Sequence, residues 1–171
     1  GVFPPGIKFD FTKIIMCLHH MMLAHAKAVN IFKDNGYPGE IGVVHSLETK
    51  YANSDSEEDK HAAFLEDALS IRFLLEATYL GRYSEELLEA LDEICAAQDA
   101  SYEFLEEDYL EMEKASFRND FLGINHYQCH FCKAYQGPNE IYHNGTGDKG
   151  TSVYRVNGIA ERVYKEGIPR T

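Results

Sequence analysis

The chain has 171 residues and a mass of 19.4 kDa, one domain's worth and enough to bury a core. Its 16 Lys and Arg against 28 Asp and Glu leave a net charge of −12, which argues against a general nucleic-acid binder and against docking on an anionic membrane, since both need a basic face. No apolar run reads as a spanning helix and nothing resembles a signal peptide; four cysteines are too few for a disulfide scaffold, so reduced thiols in a cytoplasm are expected. Gly1 is not an initiator residue, which predicts that the chain continues something larger or is processed.

Pro4 and Pro5 forbid a helix at the start. From Asp10 or Thr12 to about Asp34 the apolar positions Ile14, Ile15, Leu18, Met21, Met22, Val29 and Phe32 recur every three or four residues and predict a helix. Asn35-Gly36 supplies a left-handed stop. Gly39 to Leu47 is apolar on both faces, as in a strand of a helix-covered parallel sheet. A polar loop from Glu48 to Asp55 follows. Ser56 and Ser84, each followed by acids, predict N-caps of helices reaching about Ala77 and Cys95. A shorter helix is expected at Glu106 to Ala115 and a second strand at Asp120 to Tyr127. From Gln136 to Thr171 the glycines and an Asn144-Gly145 turn predict a long excursion containing one hairpin. Helix, strand, helices, strand, long loop is an α/β order with parallel strands. Two strong strands are too few for a complete domain of that class, so residues 1–171 read as one incomplete unit.

Several clusters could carry chemistry. Cys129, His130 and Cys132, with His126 just before, resemble a ligand set for zinc. No second ligand pair follows at finger spacing, and an extended run would send alternate side chains to opposite faces; no metal is expected. His19, His20 and His25 are five or six apart on the first helix, which does not stack them as ligands, and they are read as packed, hydrogen-bonded side chains. The acidic run Glu103 to Glu113 lacks the glycine and spacing of a calcium loop and is read as a solvated helix face. Asn125-His126-Tyr127 and His45-Ser46 lie at the carboxyl ends of the two strands, where a parallel α/β architecture meets its ligand.

The blocks Phe3-Pro4-Pro5-Gly6-Ile7-Lys8-Phe9-Asp10-Phe11, His19 to Ala28, Gly39 to Leu47 with Thr49-Lys50-Tyr51, Ala77 to Gly81, Asn119 to Asn125, Ile141 to Gly145, Lys149 to Ser152 and Pro169-Arg170-Thr171 together resemble glycoside hydrolase family 1, in its 6-phospho-β-galactosidase branch. The resemblance spans essentially the whole chain. It implies α/β architecture in the form of a partial TIM (β/α)8 barrel, roughly helix 4 through the loop after strand 6. It also implies a retaining hydrolase of phosphorylated β-galactosides such as phosphorylated lactose, working in a bacterial cytoplasm with two glutamates and no cofactor.

By that resemblance both catalytic glutamates fall outside the chain, one upstream of Gly1 and one downstream of Thr171, as do the phosphate-binding residues. Asn139-Glu140 and His143-Asn144-Gly145 only imitate the catalytic motifs. Within the chain, Tyr127 matches a tyrosine that hydrogen-bonds the nucleophile carboxylate, and Asn125 matches an asparagine lining the sugar subsite. His126 replaces a tyrosine, and Phe131 stands near a usual tryptophan of the aglycone side. His45 and Phe131 are further substrate-side candidates. The fragment alone is expected to be inactive and to self-associate through uncovered strand edges, its partner in the complete enzyme being a phosphorylated disaccharide. Alternatives are a 6-phospho-β-glucosidase segment or a non-catalytic binding module from a truncated gene.

Overall fold

The computed structural model describes residues 5–142 and 152–163. Helix α1 (Phe11–Asp34) starts where the Asp10 carboxylate accepts from the Lys13 N–H and stops at Asn35, after which Gly36 takes φ +64°. Its buried positions Phe11, Ile15, Met22, Ala26 and Val29 form one stripe. By length and composition α1 would also suffice to cross a membrane, which corrects the sequence reading that no such helix exists. Here its stripe packs against the helices that follow.

Strand β1 (Gly42–Ser46) leads into β2 (Lys50–Ala52) and then helix α2 (Glu57–Asp67). The predicted single helix to Ala77 is broken: α2 passes through a π-helical turn, Ala68–Arg72, before α3 (Phe73–Tyr79). At that point the Ser70 hydroxyl donates to the Glu66 carbonyl at 2.7 Å, competing with the backbone for an acceptor four residues back. Ser56 and Ser84 cap as expected, accepting from the Asp59 and Leu87 N–H at 3.2 Å. Helices α4 (Glu85–Gln98) and α5 (Glu106–Ser116) complete the layer. Gly81, at φ +69°, lets the end of α3 approach α5 so closely that a Cβ there would lie 2.4 Å from the Glu113 Cα.

The core includes Ile15, Val29, Leu65, Phe73, Leu87, Leu91, Ile94 and Met112 of the helices and continues through Cys132, Val156 and Ile159. An aromatic group joins it: Phe73 lies 4.5 Å from Tyr83, and the His19 ring stacks on Phe104 at 4.5 Å. As expected for packed histidines, His19 is buried between Tyr83 and Asp108, and His25 bonds Asn119, whereas His20 is exposed.

Strand β3 (Phe121–Asn125) pairs parallel with β1, from Gly42↔Phe121 to Ser46↔Asn125. The chain then continues into β4 (His130–Lys133), β5 (Glu140–Tyr142), β6 (Val153–Val156) and β7 (Ala160–Val163). These join β2 in a second sheet of order β2-β4-β7-β6-β5, with β2 parallel to β4 and the other pairs antiparallel. Two expectations change here. The stretch read as a polar loop contains β2, and the stretch read as an excursion with one hairpin contributes three strands. Its Asn144-Gly145 turn lies outside the described residues. Strands of three or four residues carry too little alternation to be read alone, and β2 finds its partner 80 positions away.

Candidate functional site

The two parallel strands end level with one another. At that end Leu47 N–H donates to the Asn125 carbonyl at 2.9 Å, and the His126 Nδ1–H donates to the Leu47 carbonyl at 2.8 Å. Ser46 and Asn125 are register partners, so their side chains share one face, and both are exposed. Tyr127, 57% exposed, follows two residues later. Asn125 and Tyr127 are thus brought to the same end of the same sheet.

His45 is not. It is 4% exposed and its Nε2 lies 2.9 Å from the Thr78 hydroxyl on α3. Thr78 has one hydroxyl proton, and that proton goes to the Leu74 carbonyl at 2.7 Å, so the imidazole must be the donor. Burial pushes the His45 pKa down, with His25 nearby adding to the effect. A neutral ring carrying its hydrogen on Nε2 satisfies all of this. Strand alternation therefore turns His45 into the helix layer and corrects the substrate-side expectation. Ser46 occupies the open face in its place.

Phe131 sits on β4, past the strand ends, with its ring 5.8 Å from that of Tyr51 on β2. It flanks the site on the second sheet. Its neighbours His130 and Cys132 point to the buried side of β4, so the Cys-His-Phe-Cys run is split between faces. Burial raises the Cys132 thiol to about 12, with Glu66 reinforcing it, and His130 is engaged by Glu48 at 2.6 Å. Among the described residues no three His, Cys, Asp or Glu side chains gather as metal donors.

A buried ionic group under the second sheet escaped the sequence reading. Glu66 on α2 is 2% exposed and accepts from the Tyr154 hydroxyl at 2.6 Å and from Arg162 Nη2 at 2.7 Å. Burial alone would raise its carboxyl, but Arg162 and Tyr154 hold it below the usual range. Arg162 lies 4.0 Å over the Tyr154 ring. Beside this group Lys50 Nζ donates to the Glu48 carbonyl at 2.7 Å. The hydrogen bond from His130 keeps the Glu48 carboxyl low, while burial lowers His130 against the pull of Glu48. No spacing rule could find such a set, because Glu66 and Arg162 are 96 positions apart. A cavity of about 510 Å³ opens along β6 and β7, lined among others by Asn53, Ser152, Arg155 and Arg162, away from the strand ends.

The chain is similar to known proteins in sequence and in fold. The sequence profile of glycosyl hydrolase family 1 matches residues 1–169. The chain is 50% identical over 172 aligned positions to a 6-phospho-beta-galactosidase of Staphylococcus haemolyticus (strain JCSC1435), and 49% identical to one of Staphylococcus aureus (strain JH9). Each alignment takes in 100% of this chain and 37% of the relative, so the chain spans little more than a third of these proteins. Among solved structures it is similar to a beta-glucosidase from Exiguobacterium marinum, with TM-score 0.71, 24% identity, and coverage of 97% of this chain and 32% of the other. The psychrophilic beta-glucosidase BglU from Micrococcus antarcticus gives TM-score 0.71 at 23% identity, covering 98% of this chain and 34% of the other. At such identities the likeness establishes a shared α/β fold.

Proposed function

The chain belongs to glycosyl hydrolase family 1, and we propose that it is the part of a retaining 6-phospho-β-galactosidase running from helix 4 to the loop after strand 6 of a (β/α)8 barrel. The observation that carries the reading is the 50% identity to a 6-phospho-beta-galactosidase along the entire chain. The parallel β1–β3 pair with helices between its strands, and with Asn125 and Tyr127 at its carboxyl end, supports it. In a β/α barrel that end carries the chemistry.

In this reading Asn125 offers its amide to a sugar hydroxyl. Tyr127 donates its phenol hydrogen to the nucleophile carboxylate, which favours the ionised form and fixes its orientation. Retaining hydrolysis needs two carboxyl groups about 5 Å apart. No glutamate of this chain stands in either of the family's catalytic motifs, so the chain alone does not turn over substrate. The work is done on a phosphorylated β-galactoside in a bacterial cytoplasm, without a cofactor. Val44 and Ile124, each 58% exposed on the β1–β3 pair, would drive the isolated chain to self-associate, seen as concentration-dependent sedimentation.

The test replaces the corresponding stretch of a complete 6-phospho-β-galactosidase with this chain. The graft is expected to cleave a chromogenic 6-phospho-β-galactoside and to lose kcat on Tyr127→Phe; the chain alone is expected to be inactive. Turnover by the chain alone, or a graft that does not cleave the 6-phospho-β-galactoside, would overturn the reading.

A further inference from the structure

Each β1 residue pairs with a residue 79 positions on, whereas each β2 residue pairs with one 80 positions on. The same two stretches are therefore paired twice in parallel, and between the ladders 126–129 carries one residue more than 47–49. Such a bulge re-aims side chains and can slide unless something holds it, because a slip of one residue moves a side chain to the opposite face. Tyr127 is inside it.

The bulge is pinned on both sides. Toward β1–β3 the pins are Leu47 N–H to the Asn125 carbonyl and His126 Nδ1–H to the Leu47 carbonyl. Toward β2–β4 they are His130 N–H to the Thr49 carbonyl at 2.9 Å and His130 Nε2 to the Glu48 carboxylate at 2.6 Å. Glu48 is itself fixed by Lys50 at its carbonyl. His130 is 4% exposed. The charged groups that act on its ring are Glu48, Lys50 on β2 and Arg162 on β7, the last paired with Glu66 of α2. The Glu48–His130 pair is thus a buried side-chain pin on the β2–β4 side that bridges the two paired stretches.

We propose that Glu48 and His130 are positioning residues, whose pair locks the bulge at 126–129 and thereby sets how Asn125 and Tyr127 are presented at the strand ends. The consequence for catalysis rests on the glycosidase reading above; the locking itself does not.

The test on the full chain compares Glu48→Ala, His130→Phe and Glu48→Gln by NMR with labelled tyrosine and by amide exchange. Glu48→Gln keeps a side-chain acceptor for the His130 Nε2–H and serves as the conservative rescue. The expected result for Glu48→Ala and His130→Phe is a shifted or broadened Tyr127 signal. The Leu47 and His130 amides should exchange at least about tenfold faster, while those inside the β1–β3 ladder keep their rates. Glu48→Gln should remain close to the parent. Unchanged Tyr127 signals in Glu48→Ala, or equal loss of protection in both ladders, would overturn the proposal. In the barrel graft, Glu48→Ala should lower kcat by at least about tenfold with KM nearly constant. It should also add little to Tyr127→Phe, because both act on the same group. A graft without glycosidase activity would refute the functional reading and leave the NMR result to judge the lock.

Discussion

Behind β1 the buried polar groups are neutral and chained. His25 donates to Asn119, Asn119 donates to the Thr78 carbonyl, and His45 donates to the Thr78 hydroxyl. Behind β4 they are charged and clustered, with Glu66, Arg162 and Tyr154 in mutual contact and Glu48, His130 and Lys50 beside them. A neutral chain is undone by adding a proton, since each imidazole already donates the hydrogen its partner requires. A charged cluster is undone by removing a member, since the remaining charges cannot return to water. One small chain thus holds its two sheets by devices that fail under different insults.

The largest effect should come from Glu66→Ala. It leaves the half-buried Arg162 and Tyr154 hydroxyl without their acceptor and should cost about 3 kcal/mol in urea denaturation. Amide exchange should show the loss first in β4, β6 and β7. If the β1–β3 amides lose protection equally, the two regions are one cooperative unit and the contrast breaks.

Acid gives the reverse experiment. His19, His25, His45 and His130 are all lowered by burial relative to their unfolded values. The unfolded chain therefore binds more protons, and stability is full above about pH 6.5 and falls as the pH drops through that value. Three of the four side chains lie in the helix layer, while the carboxylates Glu48 and Glu66, held low beside the second sheet, give up their contribution only below about pH 4.5. Thermal unfolding between pH 7 and 5 should thus lose stability through these histidines, three of them in the helix layer, and His45→Gln should flatten that slope. A slope unchanged by His45→Gln would remove this histidine from the account.

The smallest effects sharpen the comparison by being local. Ser56→Ala weakens the cap of α2, the helix that carries Glu66, and Ser84→Ala weakens the cap of α4. Each should cost about 1 kcal/mol by urea denaturation. A markedly larger cost for Ser56→Ala would mean that the charged cluster depends on where α2 begins.

What could be read in advance follows the range of the interactions. Caps at Asp10, Ser56 and Ser84, the stop at Asn35-Gly36 and the two long strands are set by neighbours a few residues away, and the sequence carries them openly. The position of Asn125 and Tyr127 at the strand ends was legible because they follow an apolar run that ends in polar side chains. The face of His45 was not, because a strand apolar on both sides gives no sign of which side meets the helices. Glu66 sits in a helix that opens with Glu57, Glu58 and Asp59 and looks solvated there; only Arg162 and Tyr154, far along the chain, make its burial possible. β2 and β4 are visible only as a pair.

The π-helical turn at Ala68–Arg72 has one more effect. An extra residue in a helical turn rotates everything after it by about 100° relative to an unbroken α-helix. Before the turn, α2 aims Glu66 at the second sheet; after it, α3 aims Thr78 at β1. The turn acts as a swivel that lets a single helical rod address two partners lying in different directions. Deleting one residue there would straighten the rod, and it would swing Phe73, Ala77 and Thr78 away from the places they now fill.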